Sequence, residues 1–422
     1  MKVTKVVAVL AAVVAFSGTV FASNLTDLLV SKGIITSSDA QTLTADAGGA
    51  SSVPAWVQNM KFSGSMRLRY QGDWAQNAST RDRMRLRLLF GVETNPIENM
   101  SVAFGLATGS LGQTGSGITD SNAATRNYTF SDFDKPTIMV DFAYIQYKII
   151  DGVKITGGKV KGDTALYNLR QLVWDGNINP DGVALNVNEK IGSSFEFFGN
   201  AGWYTLGEGN SSGKTYYNPV VGDTLTANGQ MPDVYVVQPG VTYKSDLISA
   251  KVAVAYQQFN TKGRMVFAND TLSSSYLVTN SINNINYNII DPSGELRFKN
   301  LVGKYGVSIF GEYVKNINSE VKNNAEGGLY GIGIGNDGIS KFADWNLSVA
   351  GRYLMSNAVP NGMSFSDVYG GTITNGVRGY EASLNFGLTK NSWATISYLN
   401  YKNINGATVD KSLGQFDINY KF

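Results

Sequence analysis

Phe62-Ser63-Gly64-Ser65-Met66-Arg67-Leu68-Arg69-Tyr70-Gln71 decides the fold. Phe62, Gly64, Met66, Leu68 and Tyr70 fall on one side of an extended chain, and Ser63, Ser65, Arg67, Arg69 and Gln71 on the other. Side chains alternate faces along a strand, so this is a strand with one apolar and one strongly polar side. The pattern returns in Met84, Leu86, Leu88, Phe90 and Val92 against Arg83, Arg85, Arg87, Gly91 and Glu93, with Leu89 the one break. It returns again at the end, where Phe416, Ile418, Tyr420 and Phe422 oppose Gln415, Asp417, Asn419 and Lys421.

Marking every such run from residue 61 onward gives sixteen candidate strands, near 61–73, 82–94, 101–109, 137–148, 153–160, 183–189, 193–204, 233–243, 247–259, 291–299, 306–316, 325–335, 345–354, 378–388, 393–402 and 412–422. Connectors alternate between short turns, such as 95–100, 150–152, 245–246 and 389–392, and long polar stretches at 110–136, 161–182, 205–232, 260–290 and 355–377. Sorting loops by parity is the habit of a bacterial outer-membrane barrel. About ten of the runs reach the ~9 to 11 residues that a tilted strand needs to span hydrocarbon. The fold class expected is all-β, a transmembrane antiparallel β-barrel of about sixteen strands over 61–422. A barrel of roughly 16 to 18 strands leaves an aqueous channel, so a pore is the expected product.

Composition agrees. The 422 residues include 47 Gly, 22 Tyr and 20 Phe, and only 16% are charged. An ordinary soluble chain carries roughly 25% charge, so this wall is stripped of it. Tyr70, Trp74, Trp203, Tyr204, Tyr243, Tyr256, Tyr353, Tyr398 and Tyr401 lie near strand ends, where aromatic girdles form. The chain has no His and no Cys. Imidazole acid–base chemistry, His-ligated metals, disulfides and thiolate clusters are therefore closed to it, and neither an enzyme nor a cofactor or metal site is expected. The net charge of +2 comes from Lys2 and Lys5, so no basic footprint for nucleic acid exists.

Those two lysines, the apolar run Val6 to Phe16 and Val20-Phe21-Ala22 read as a signal peptide over residues 1–22. The apolar run is too short to span a bilayer as a helix. Residues 23–60 form a segment of another kind: a capped helix from Asn24 to Gly33, a second starting at Ser37 or Ser38 and reaching Leu43, and a linker from Gly48 to Ser52. It reads as periplasmic, with a plug, a trimer contact, a tether or an inert leader as the open roles.

A hairpin centred near Asn77 sets Arg67 opposite Arg87 and Arg69 opposite Arg85, with Arg83 beside them. Opposed like charges destabilise a sheet, so this lumen wall must be solvated or faced by carboxylates. The expected donors of those carboxylates are Asp163, Asp175 and Asp181 of the 161–182 loop, beside Tyr167, Arg170 and Trp174. Folded inward, that loop would constrict the channel and set a transverse field that sorts solutes by size and charge. Solvated arginines, or arginines binding lipopolysaccharide at a rim, are the plainer alternative. The terminal Phe416, Ile418, Tyr420 and Phe422 resemble the signal read by the barrel-assembly machinery.

The runs Met66-Arg67-Leu68-Arg69-Tyr70 and Arg81-Asp82-Arg83-Met84-Arg85-Leu86-Arg87-Leu88, together with Val102 to Gly109, Gly157-Gly158-Lys159 and Leu172 to Gly182, resemble the "putative porin" family of diderm bacteria. Leu28 to Thr36 is similar too. The likeness is specific over about residues 61–190 and rests on barrel pattern beyond. It implies an outer-membrane pore for small hydrophilic solutes and ions, a homotrimer, and lipid and lipopolysaccharide as surroundings; it carries no substrate. Two rival functions stand beside it: a gated channel for a specific, hydrophobic substrate with residues 23–60 as plug, and an anchor between outer membrane and cell wall. Gly213-Lys214-Thr215 lacks the upstream glycine of a phosphate loop, Gly331 to Gly335 lies in a strand, and the Asp132 to Asp134 stretch lacks a calcium-loop register.

Overall fold

The computed structural model describes residues 36–38, 55–75, 80–109, 126–130, 133, 135–206, 215–218, 223–226, 230–261, 285–368, 376–406 and 409–422. The chain divides into two compact units, Met1–Asn59 and Met60–Phe422. In the first, Ala55–Gln58 forms one helical turn, α1, and residues 37 and 38 are helical. The expected helix from Asn24 to Gly33, the signal peptide and the linker from Gly48 to Ser52 lie outside the described residues, as do Lys214 and the Asp132 to Asp134 stretch apart from Phe133.

The second unit is a closed antiparallel barrel. Its strands are β1 (Lys61–Ala75), β2 (Arg81–Ile97), β3 (Met100–Gly109), β5 (Thr137–Ile150), β6 (Val153–Lys159), β7 (Asp181–Ile191), β8 (Phe195–Thr205), β11 (Asp233–Lys244), β12 (Ile248–Asn260), β13 (Tyr287–Val302), β14 (Tyr305–Asn316), β15 (Glu326–Gly335), β16 (Trp345–Leu354), β17 (Val377–Thr389), β18 (Ser392–Asn403) and β19 (Asp410–Lys421). All sixteen expected strands are present. Each pairs with its neighbour in sequence, β8 pairs with β11, and β19 returns to β1. Among the described residues three further short strands belong to the long loops: β4 (Tyr128–Thr129), which pairs with β2 where β3 has left it, and the hairpin of β9 (Thr215–Asn218) and β10 (Asp223–Thr226). A four-residue helix, α2 (Gly162–Ala165), follows β6.

Burial runs opposite to that of a soluble protein. On β1, Tyr70 and Met66 are 46% and 40% exposed on the outer surface, whereas Arg69 and Gln71 are 7% and 1% exposed inside. Exposed Ile138, Val140, Val252, Val254, Ile332, Val349 and Ile396 continue the outer band. A wall with its apolar side chains outward suits hydrocarbon, where every backbone polar group must pair within the sheet and closure removes the edges.

Closure is made at β1 and β19. Gly64 and Phe422 exchange both backbone hydrogen bonds, at 2.9 and 3.0 Å. The Phe422 ring covers Gly64 so closely that a Cβ there would clash with it. At the turn between β5 and β6, Gly152 adopts φ +79, where a side chain would also meet the Asn188 carbonyl.

Parity is not strict: the β14–β15 connector 317–325 on the side of the long loops is no longer than the β15–β16 connector 336–344 on the side of the short turns. On the side of the long loops, β1–β2 and β18–β19 are joined by only residues 76–80 and 404–409.

Candidate functional site

The arginine ladder forms as the hairpin register requires. Arg67 lies opposite Arg87, Arg69 opposite Arg85, and Gln71 opposite Arg83. Because β19 closes on β1, Asp417 falls opposite Arg69. Arg69 Nε and Nη2 donate to the two Asp417 oxygens at 2.7 and 2.8 Å, a bidentate charge-assisted pair. Its Nη1 donates to Asp367 Oδ2 at 3.2 Å, and Gln415 Nε2 donates to the same oxygen at 3.0 Å. Arg83 Nη2 donates to Asp73 at 2.7 Å, and Arg85 Nη1 to Gln71 Oε1 at 3.2 Å. Arg67 Nη2 donates to Asn127 Oδ1, and its Nη1 lies 4.0 Å from Asp417 Oδ2.

The 160–180 loop lies on the lumen-facing Gln238, Gln257 and Arg352, and its acids do not meet this ladder. Asp175 Oδ1 accepts from Asn177 N at 2.7 Å, and Oδ2 from Ser366 N at 2.6 Å. Asp163 stands in α2 and lines a cavity below the loop. Asp181 is not in the loop: it opens β7 and pairs with Lys159 at 3.1 Å, largely exposed. The carboxylates on the ladder are instead Asp417, Asp73 and Asp367, the last carried in by a second inward segment, 355–368. Arg170 also turns away, its guanidinium 4.2 Å above the Phe310 ring.

What holds the first loop is the facing wall. Gln238 on β11 accepts from Tyr167 N at 2.7 Å and donates to Tyr167 O at 2.9 Å. Gln257 on β12 accepts from the Trp174 indole at 2.6 Å. Glu312 on β14 accepts from Arg170 N at 3.2 Å, and Arg352 on β16 donates to the Arg170 and Gln171 carbonyls at 2.7 and 3.1 Å. Buried loop backbone has to be paired somewhere, and here lumen-facing Gln, Glu and Arg provide the partners. Leu172, Val173 and Trp174 then pack on inward-facing Tyr204, Phe259, Ile289, Leu329 and Leu354. The two loops are joined: Asp175 N donates to Met363 O at 2.6 Å and Phe365 N to Gln171 O at 3.2 Å. Arg126 bridges from the ladder side, donating to Asp141 and, at 3.1 Å, to Gly176 O.

Below this partition lies a cavity of about 1240 Å³ with Asn186, Asn188, Asn200, Lys161, Lys251 and Glu295 among its lining. Sequence reasoning had put Asp417 on the polar face but missed its pairing, which follows from closure alone. Nothing in the residues of 355–368 signals an inward fold.

Phe416, Ile418, Tyr420 and Phe422 all point outward and are exposed on the barrel exterior, with Tyr420 and Phe422 stacked at 6.2 Å between centroids.

A family model described as "Putative porin" matches residues 75–293 and 249–422. No match is found among curated proteins. Among solved structures, OprB of Pseudomonas putida at high pH aligns with TM-score 0.52 and 12% identity, over 89% of this chain and 97% of that one. The outer membrane channel DcaP of Acinetobacter baumannii aligns with TM-score 0.44 and 13% identity, over 86% and 98%. OmpT of Vibrio cholerae, an outer membrane protein in its trimer form, aligns with TM-score 0.44 and 8% identity, over 86% and 99%. At these identities the first likeness speaks for the fold only.

Proposed function

The chain belongs to the "putative porin" family, as an outer-membrane channel, and from that premise we propose that it passes small hydrophilic solutes and ions by diffusion, with the arginine ladder biasing the flow toward anions. The observation that carries this reading is the inverted burial: an apolar exterior around a lumen lined by charged and amide side chains. Water can fill such a lumen, and the partition of the two loops sets what fits through it. The ladder lies on β1 and β2, away from the β11–β16 wall that holds the 160–180 loop.

The hydrophobic-substrate alternative requires a vacant apolar lumen pocket. The inward apolar side chains here are covered by the protein's own Leu172, Val173 and Trp174, and the large cavity is lined by polar groups as much as apolar ones. In this reading residues 1–22 are the export signal, 23–60 stay on the periplasmic side, Phe416 to Phe422 present the assembly signal, and three copies associate in lipid and lipopolysaccharide. Chemical crosslinking of the purified protein tests the trimer.

Planar-bilayer recording tests the channel. Discrete conductance steps with a size cutoff in a solute-exclusion series are expected, and a chloride-favouring reversal potential across a KCl gradient. Neutralising Arg67, Arg69, Arg85 and Arg87 together should move that potential toward zero or past it; an unchanged potential would remove the ladder from selectivity.

A further inference from the structure

Pairing along the arginine ladder is uneven. At the level of Arg69 and Arg85, Asp417 and Asp367 are at hand, and one level further from the short turns Asp73 takes Arg83. At the level of Arg67 and Arg87 the two guanidinium groups oppose each other directly. Arg67 reaches Asp417 only at 4.0 Å, on an oxygen that Arg69 already holds at 2.8 Å. Arg67 Nη2 donates to Asn127 Oδ1, whereas Arg87 makes no side-chain hydrogen bond or ion pair among the described residues; its Nε, like others on the ladder, is buried without a hydrogen bond. The Arg67 side chain is only 11% exposed. Juxtaposed like charges cost stability in a sheet, and burying them with only a distant, shared counter-charge adds to that cost. Guanidinium forks are also shaped for one class of ligand: they donate in parallel pairs to a carboxylate or phosphate.

The protein displays that binding mode one level away. The Asp367 carboxylate, brought in on a loop from across the lumen, sits on the ladder by accepting from Arg69 and from Gln415. A lumen-borne oxyanion at Arg67 and Arg87 would be held in the same manner, by Arg87 and by the Arg67 donors that Asn127 does not take.

We infer that Arg67 and Arg87 form a discrete docking site for the oxyanion group of a passing solute, a carboxylate or a phosphate, at the end of the ladder nearer the short turns. The site rests on reading the barrel as a channel and adds a distinct property to it. A wall that merely biases charge gives current that rises steadily with salt, whereas a docking site saturates.

The test uses the full-length refolded protein in planar bilayers at fixed KCl, with inorganic phosphate or acetate titrated in. Chloride current should fall along a saturating curve. The half-effect concentration should rise at least tenfold in Arg87→Gln and in Arg67→Gln, and by less in Arg87→Lys, which keeps the charge and loses the fork. A thermal titration supplies a readout that needs no current: phosphate or acetate should raise the unfolding midpoint of the natural protein and leave that of Arg87→Gln in place. Saturation by phosphate alone assigns phosphoryl groups, and equal saturation by acetate assigns carboxylates; both uphold the site. Chloride current unmoved by either anion, or an Arg87→Gln protein with the natural half-effect concentration, overturns it. Should the barrel give no conductance at all, the channel reading falls first, and the thermal titration still decides the site.

Discussion

Two walls of the same lumen obey one side-chain rule and end in different trades. On β19, β1 and β2, inward residues are Arg, Asp, Gln and Asn that bond mostly to one another across strands. On β11 through β16, inward Gln238, Gln257, Glu312 and Arg352 give their polar atoms to the backbone and indole of a loop laid over them. Polarity facing the lumen is thus no measure of contact with solute. A lumen residue covered by a loop is scaffold, and the same residue type left uncovered is a candidate for selectivity.

Breaking the second wall should have the largest effect. Replacing residues 166–176 by a short Gly-Ser bridge removes the partition and strands the amides and carboxylates beneath it. Single-channel conductance should rise several-fold with weakened charge preference, and a conductance within the natural range would show that the loop does not constrict.

The first wall is sharpened by Asp417→Asn. This removes one partner of a buried bidentate pair, and breaking such a pair costs on the order of 3 kcal/mol or more. Heat-dependent gel mobility should show the barrel unfolding earlier, while anion preference grows because Arg67 and Arg69 lose a shared counter-charge. Lower stability with no change in reversal potential would leave the pair structural only.

The smallest effect is one of pH. Asp367 lies in the 355–368 loop, outside the spanning strands. Burial alone would raise its carboxyl, yet Arg69, then Gln415, Arg85 and Arg67, hold it below the usual 3.8. A group depressed on folding stabilises above its ordinary value, and that contribution disappears as pH falls through the lower folded value. The loop contact should therefore persist unchanged from neutrality to about pH 5 and release only below about pH 4. Reversal potentials measured across that range check this, and Asp367→Asn should erase the acid step.

How much was legible follows from which forces act locally. The strands were readable because lipid and lumen impose opposite chemistry on alternate residues, and Arg67 met Arg87 because a short hairpin leaves little freedom of register. Asp417 could have been paired from closure, since outward Phe416 and Ile418 force it inward beside the first strand. Asp181 was misplaced by a boundary: β7 begins two residues before the alternation becomes evident, so a loop acid proved to be a strand acid. Asp175 was of the right type in the right loop, but its oxygens serve the loop's own turn and its neighbour loop. Asp367 was out of reach, because an inward loop has no period and its partner lies almost 300 residues away in sequence.

The bonds between Gly64 and Phe422 bear on the order of events in making this molecule. Synthesis and export are vectorial, with β1 emerging long before β19. The free edge of β1 consequently waits, unmatched, for the latest-made strand to arrive. A chain that stops short of β19 leaves that edge of β1 without the partner it has here, and the sheet open.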